Sequence, residues 1–223
     1  MTVCIAAIYG NGSGCILASD QMTTAHFPIG YEFENEEVEK IVKINDNIYV
    51  LISGDVLFAN EVISLTNQRI RVDNIQTVFG IVDVFRNSYQ LARRNRIARN
   101  ELEPRGIDLN TFLNLQQKLL PALVQIIDQA FRTFNPQVEF IIAGKDGASW
   151  HVYTVRNPGD LICHDPIGFV AIGSGGPHAV YSLIESNYKK SLDKDTIKEA
   201  VKKAKERSEV APGVGKKTKV VEL

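Results

Sequence analysis

Residues 3–9 (VCIAAIY) and 15–19 (CILAS) are two short apolar runs, rich in residue types that favour β-strands. They flank residues 10–14 (GNGSG), whose glycines and asparagine suit a tight reversal of the chain. The pattern therefore predicts an antiparallel β-hairpin at the start of the chain.

A second hairpin is predicted from residues 41–44 and 48–53, because the intervening Asn45-Asp46-Asn47 are turn-forming residues. From Asp55, a suitable helix cap, the apolar residues follow helical spacing. The same criteria predict further helices at about 74–100, 110–134, 177–188 and 194–206, and strands at 138–143, 150–155, 160–163, 168–172 and 217–222.

These elements occur as a block of strands, a block of helices, a second block of each, and a final strand. Blocks of consecutive strands indicate antiparallel pairing, so we expect two stacked sheets with helices outside them. No repeat, low-complexity tract or change in composition marks a linker. The predicted fold class is α+β, with residues 1–223 in a single domain.

Composition excludes several classes of protein. The 223 residues are 44% hydrophobic and 23% charged, with a formal net charge of -1, which argues against a disordered chain or a coiled coil. The apolar runs are far shorter than the roughly 20 residues that a membrane-spanning helix needs. The balanced charge gives no reason to expect nucleic acid or a membrane as a partner.

The beginning of the chain does not have the composition of a targeting segment. No lysine or arginine precedes Lys40, whereas a signal peptide has a basic first segment. The three scattered cysteines, Cys4, Cys15 and Cys163, are predicted to be reduced thiols in the core. We therefore expect a cytoplasmic protein.

Several apparent motifs lack the required spacing. Residues 213–218 (GVGKKT) lack the Ser or Thr that follows the lysine of a phosphate-binding loop, so a turn with a solvated basic edge is predicted. The glycines of residues 173–176 do not have nucleophile-elbow spacing. The four histidines show no ligand spacing, so no metal site is expected. The arginines within residues 93–99 indicate a solvated helix face, or a contact with an acidic surface of a neighbouring subunit.

A different set of residues lies at predicted strand ends and helix starts. Its members are Thr2, Asp20, Lys40, Gly54 and Ser174. Each one alone has an ordinary explanation, such as a turn, a cap or a surface charge.

Together with their flanking sequences, these residues resemble the proteasome-type branch of the N-terminal-nucleophile hydrolases. The similar segments are residues 2–6 (TVCIA), 16–24 (ILASDQMTT), 39–44 (EKIVKI), 53–55 (SGD) and 171–177 (AIGSGGP). The resemblance extends nearly from end to end and implies a four-layer αββα sandwich.

The resemblance implies that Thr2 is the nucleophile once Met1 has been removed. A threonine hydroxyl reacts poorly without a base. A free α-amino group has a pKa of about 7.7–8.0, so its neutral form can accept the hydroxyl proton at cellular pH. No histidine is then needed.

The resemblance also assigns roles to the other residues. Lys40 places a cation beside the hydroxyl and the amine, and Asp20 keeps it charged and oriented. Gly54 supplies a backbone N–H to the oxyanion, and Ser174 hydrogen-bonds the amine. Glu209 corresponds to the acidic partner of that amine.

The substrate pocket is expected to involve Met22, Thr24 and the 26–38 segment. The chain departs from the family at Met22, where a basic or polar residue is usual, and at Pro212, where a serine is usual. The interval between Asp20 and Lys40 and the helical region 74–134 are both longer than usual. These departures imply an altered pocket rim.

The resulting hypothesis is a threonine peptidase or amidohydrolase that forms an acyl-enzyme on Thr2. Two alternatives remain: a transpeptidase or ligase that uses the same acyl-enzyme, and a catalytically inactive assembly subunit. We expect a peptide or protein substrate, no cofactor, and a homo-oligomer built as a ring or a stacked assembly. An ATPase partner is left open.

Overall fold

The computed structural model describes residues 2–26, 32–35 and 37–223, with the backbone alone at 24–26 and 32–34. The strands are β1 (Cys4–Tyr9), β2 (Gly14–Asp20), β3 (Thr23–His26), β4 (Glu32–Asn35), β5 (Ile41–Asn45), β6 (Ile48–Gly54), β7 (Val138–Asp146), β8 (Ser149–Arg156), β9 (Asp160–Cys163), β10 (Phe169–Ile172) and β11 (Thr218–Glu222). The α-helices are α1 (Val56–Asp73), α2 (Val78–Ile97), α3 (Leu109–Leu115), α4 (Pro121–Thr133), α5 (Gly176–Glu185) and α6 (Lys194–Ser208).

Two main sheets are formed, both antiparallel. One has the strand order β10-β1-β2-β11 and the other β5-β6-β7-β8-β9, while β3 pairs with β4 separately. The predicted opening hairpin is confirmed, with Cys4 opposite Ser19 and Tyr9 opposite Gly14. The second hairpin is confirmed as β5 and β6.

Alternation along β1 explains why this strand is apolar throughout. Val3, Ile5 and Ala7 pack with residues of α5 and α6 on one face of the first sheet. Cys4 and Ala6 face the opposite way, into the core between the two sheets. A strand that is buried on both faces needs apolar side chains at every position.

The second sheet is covered in the same way. Its outer face packs against α1 and α2 through Phe58, Phe85 and Tyr89, and its inner face contributes Leu51 and Ile141 to the core between the sheets. The layers are therefore helices, sheet, sheet and helices, which confirms the predicted α+β sandwich. None of the helices in the described ranges is long and apolar enough to cross a membrane.

The helix predicted at 110–134 is not continuous in the structure. Residues 116–120 interrupt it, and α4 begins at Pro121. A proline lacks the N–H needed inside a helix but fits the first turn. Phe112 of α3 and Ile127 of α4 pack with Leu102, which follows α2, in a small cluster outside the main core.

Two other sequence predictions need correction. Cys163 is exposed in strand β9, so only Cys4 and Cys15 are core thiols. The solvated face predicted for the arginines within residues 93–99 holds for the exposed Arg94 and Arg99 but not for the other two: Arg93 donates to the carbonyls of Phe131 and Phe134, and Arg96 pairs with Asp55 at 3.1 Å. Arg93 and Arg96 thus hold α2 to neighbouring elements of the same chain.

Candidate active site

The pairing of β1 with β2 places Thr2 beside Asp20. Cys4 lies opposite Ser19, and the Asp20 N–H donates to the Val3 carbonyl at 3.2 Å. Lys40 precedes β5 in the other sheet, where its carbonyl accepts from the Ile52 N–H at 2.9 Å. The lysine thus reaches the end of the first sheet from the second sheet.

Thr2, Asp20 and Lys40 are in direct contact. Lys40 Nζ lies 2.8 Å from Asp20 Oδ1 and also donates to Thr2 Oγ1. Thr2 Oγ1 is 3.1 Å from Asp20 Oδ1. The exposed fractions are 3% for Thr2, 0% for Asp20 and 6% for Lys40. A buried cation therefore touches both the candidate nucleophile and a buried carboxylate.

Backbone N–H groups complete the environment of the Asp20 carboxylate. Oδ1 accepts from Val3 at 3.0 Å, and Oδ2 accepts from Met22 at 3.2 Å and from Gly215 at 3.0 Å. Hydrogen bonds to the charged form of a carboxylate stabilise that form. The role of Gly215 was missed, although it lies in the 213–218 motif that the sequence singled out as a turn.

The turn before α5 surrounds the backbone of Thr2. The Thr2 nitrogen is 3.2 Å from Ser174 Oγ, and the Thr2 carbonyl accepts from the Gly175 N–H at 3.1 Å. Gly173 has a φ of +87°, and an added Cβ would lie 2.3 Å from the Thr2 carbonyl oxygen. Ser174 is thus held beside the Thr2 nitrogen by a turn that requires glycine.

Gly54 ends β6, directly before α1, and is exposed. Asp55 caps that helix by accepting from the N–H groups of Leu57 and Phe58 at 2.8 and 3.0 Å. The N-terminus of a helix carries a partial positive charge, which favours an anion nearby. The structure places Gly54 where its conformation is tightly constrained, with a φ of +109°.

Gly54→Ala is expected to destabilise the protein strongly. An added Cβ would lie 1.8 Å from the Gln137 carbonyl oxygen, in addition to the unfavourable φ. Backbone strain of this kind costs about 1–3 kcal/mol, and overpacking adds about 1–3 kcal/mol. We expect the free energy of unfolding, measured in urea, to fall by at least about 2 kcal/mol.

Gly106→Ala is the matched control for this variant. Gly106 also has a positive φ, +68°, but an added Cβ would meet nothing within 4 Å. Its substitution should cost about 1 kcal/mol, the backbone contribution alone. Equal losses of unfolding free energy in the two variants would contradict a collision between the added Cβ and the Gln137 carbonyl oxygen.

The structure does not bring every predicted residue to Thr2. Glu209 follows α6, where its Oε1 lies 2.6 Å from Lys205 Nζ, and among the described contacts none joins it to Thr2 or Ser174. The assignment of Glu209 to the amine is therefore corrected: this carboxylate is the partner of Lys205. Because Lys205 is almost fully buried, it binds a carboxylate within its reach.

The predicted pocket residues are only partly described. Met22 is buried and contacts Asp20 through its backbone N–H. Thr24 lies in β3, and its side chain is outside the described part of the chain, as is most of the 26–38 segment. A cavity of about 380 Å³ has Ser53, Glu139 and Gly173 in its wall, and Gly173 lies beside the Thr2 carbonyl.

Two further features concern the chemistry at this site. Burial raises the pKa of the Cys4 thiol to about 12, so this neighbour of Asp20 and Lys40 is a neutral thiol rather than a competing nucleophile. Among the described residues, no three His, Cys, Asp or Glu side chains are grouped closely enough to hold a metal ion.

The stacked antiparallel sheets and their covering helices form the proteasome-type N-terminal-nucleophile fold. Eukaryotic HslV from Trypanosoma brucei has a similar structure, with a TM-score of 0.60 and 14% sequence identity, over 99% of this chain and 98% of the HslV chain. The chain belongs to the Proteasome subunit family, whose model matches residues 95–213, just over half of the sequence. No curated protein matches the sequence. The family resemblance stated from the sequence is thus confirmed.

Proposed function

We propose that this chain is an N-terminal-threonine peptidase or amidohydrolase that acts through an acyl-enzyme on Thr2. The main support is the contact of the buried Lys40 ammonium with both Thr2 Oγ1 and the Asp20 carboxylate. A cation beside a hydroxyl lowers the free energy of the alkoxide that forms as the proton leaves. An assembly role alone would not require this buried charge at the Thr2 hydroxyl.

The reaction begins when removal of Met1 frees the Thr2 amine. The neutral amine accepts the proton of the Thr2 hydroxyl, directly or through a water, while Oγ1 attacks the substrate carbonyl carbon. Lys40 favours the neutral amine, and the Ser174 hydroxyl orients it. The N–H of Gly54 stabilises the tetrahedral oxyanion.

Collapse of this tetrahedral intermediate breaks the carbon–nitrogen bond of the substrate. The proton held by the amine passes to the leaving nitrogen, and an ester on Thr2 remains. Water, activated by the same amine, then hydrolyses the ester and restores the hydroxyl. We propose a peptide or protein substrate and no cofactor.

The test is intact-mass analysis after incubation with a peptide α′,β′-epoxyketone, which forms a ring with a hydroxyl and an amine on one residue. We expect loss of Met1 and one adduct on the wild-type protein. Thr2→Ser should keep the adduct because it keeps both reacting groups, and Thr2→Ala should form none. Retained Met1 in protein from its own host, with no adduct, would contradict the proposal and favour the inactive assembly subunit.

We further propose that residues 1–223 act as one domain within a cytoplasmic homo-oligomer. Membership of the Proteasome subunit family supports an assembly of repeated subunits. Sedimentation velocity on the purified chain measures its mass directly. A species at the monomer mass over the whole concentration range would contradict this assembly.

A further inference from the structure

Lys205 is a buried cation with two close partners. Its side chain is 1% exposed, although it lies on a largely charged helix, α6. Its Nζ lies 2.6 Å from Glu209 Oε1 and 2.6 Å from the Lys216 carbonyl oxygen. Fully buried lysines are rare because removal of an ammonium from water is costly, so both partners are needed to hold it there.

The second partner belongs to residues 213–217, here called the 213–217 segment. Next to Lys216, the Gly215 N–H donates to Asp20 Oδ2 at 3.0 Å. On the other side, the Lys217 carbonyl accepts from the Gln21 N–H at 3.2 Å. The segment therefore runs from the Lys205 ammonium directly to the carboxylate beside Lys40 and Thr2.

Lys205 and Asp20 bind adjacent residues of this segment. Val214 is also buried against residues of β1 and α6, which limits the motion of the chain before Gly215. The Lys205 ammonium donates to the Lys216 carbonyl, and Asp20 accepts from the N–H of the preceding residue, Gly215. Loss of the Lys205 contact removes the hydrogen bond to the Lys216 carbonyl, one residue beyond the Gly215 N–H that Asp20 accepts.

We propose that Lys205 is a positioning residue, which holds the Gly215 N–H on Asp20 through the Lys216 carbonyl and so fixes the carboxylate that orients Lys40. Glu209 serves as the counterion that makes the buried ammonium tolerable. The effect on catalysis rests on the proposed function, whereas the effect on the Gly215 contact does not.

The first measurement is the NMR signal of the Gly215 amide proton in the full chain. A hydrogen bond to a carboxylate moves an amide proton downfield. In Lys205→Met we expect this signal to move upfield and its hydrogen exchange to become at least about 10-fold faster, because the contact with Asp20 is weakened. Lys202→Met is the matched control, since Lys202 lies on the same helix and pairs with Glu199 at the surface.

The second measurement is turnover of a peptide substrate. A misplaced catalytic group can cost up to about 100-fold in rate, so for Lys205→Met we expect kcat to fall by roughly 10–100-fold with KM unchanged. Lys205→Arg should recover part of kcat because the guanidinium also donates to carbonyl and carboxylate oxygens. Lys202→Met should keep the wild-type kcat.

Glu209→Gln is a second test that does not depend on the folding of Lys205→Met. Glu209 is partly exposed, and the glutamine side chain can still accept a hydrogen bond from Lys205. We expect a smaller change of the same sign in the Gly215 signal and in kcat. Unchanged Gly215 signals in both variants would overturn the proposal, even if stability and kcat fell. A wild-type chain without turnover would contradict the proposed function, while the Gly215 signal would still decide whether Lys205 holds this contact.

Discussion

Lys40→Met is expected to lower the rate of epoxyketone adduct formation on Thr2 by about 10²–10⁴-fold, the range that loss of a positioned proton-transfer or charge-stabilising group produces. The Lys40 ammonium contacts both Thr2 Oγ1 and Asp20 Oδ1. Methionine fills a similar volume but carries no charge. The hydroxyl of Thr2 would then face the Asp20 carboxylate alone, which opposes formation of an alkoxide.

The loss of rate in Lys40→Met should not result from unfolding. The Asp20 carboxylate retains three backbone donors, Val3, Met22 and Gly215, after the lysine is removed. Removal of one partner of a buried ion pair costs about 3–5 kcal/mol, and because these donors still satisfy the carboxylate we expect the fall in unfolding free energy to lie at the lower end of that range. The rate and the urea midpoint are measured on the same preparation.

Lys43→Met is the matched control, because Lys43 lies three residues further along, is 51% exposed and pairs with Asp46 at the surface. It should leave the rate of adduct formation unchanged. Lys40→Arg should recover little activity, since a guanidinium is larger and planar and the Lys40 side chain is almost fully buried. A rate for Lys40→Met within threefold of the wild type would remove the main support for the proposed function.

Asp20→Asn is expected to lower the free energy of unfolding by about 3–5 kcal/mol, the range found when one partner of a buried ion pair is removed. Asp20 is fully buried, and both carboxylate oxygens accept hydrogen bonds from N–H groups. An asparagine has only one acceptor oxygen, and its NH₂ group would face donors. Lys40 would also lose its counterion.

Asp195→Asn provides the comparison, because Asp195 is exposed near the start of α6. Surface substitutions of this kind change stability by about 0.5 kcal/mol or less. Urea unfolding followed by circular dichroism measures both variants. Similar small losses of unfolding free energy in the two variants would show that the Asp20 hydrogen bonds contribute little to the stability of the fold.

These expectations follow from a site that joins the two sheets at one end of the sandwich. Thr2 precedes β1 and Asp20 ends β2 in the first sheet, Lys40 precedes the second sheet, and Gly215 lies between α6 and β11. The Lys40–Asp20 pair therefore also links the two layers. A substitution in the site should change both activity and the cohesion of the sandwich, so stability must be measured beside every rate.

Most strands were predictable because their signals are local. An apolar run with a turn such as residues 10–14 needs only neighbouring residues to define a hairpin, and β1 with β2 agrees with that prediction. The β3–β4 pair was not predicted, and Pro121 divided a helix that apolar spacing alone extended through it. Periodicity identifies the kind of element better than its ends.

The candidate site was predicted in part. Thr2, Asp20, Lys40, Gly54 and Ser174 were selected by a family resemblance in short segments, and in the structure Asp20, Lys40 and Ser174 all contact Thr2. Glu209 was selected in the same way, but it pairs with Lys205. Position along the chain could not show this, because it says nothing about which buried charge lies nearest in space.

By itself the sequence determined most of the strands and most of the helices, since residue type and short-range spacing carry that information, while its resemblance to a known family supplied the candidate nucleophile. Only the tertiary structure decided which groups surround Asp20. Gly215 is 195 residues away from Asp20 along the chain, yet its N–H contacts the carboxylate. Such contacts depend on how sheets and helices stack, and stacking is set by burial of all the apolar faces together.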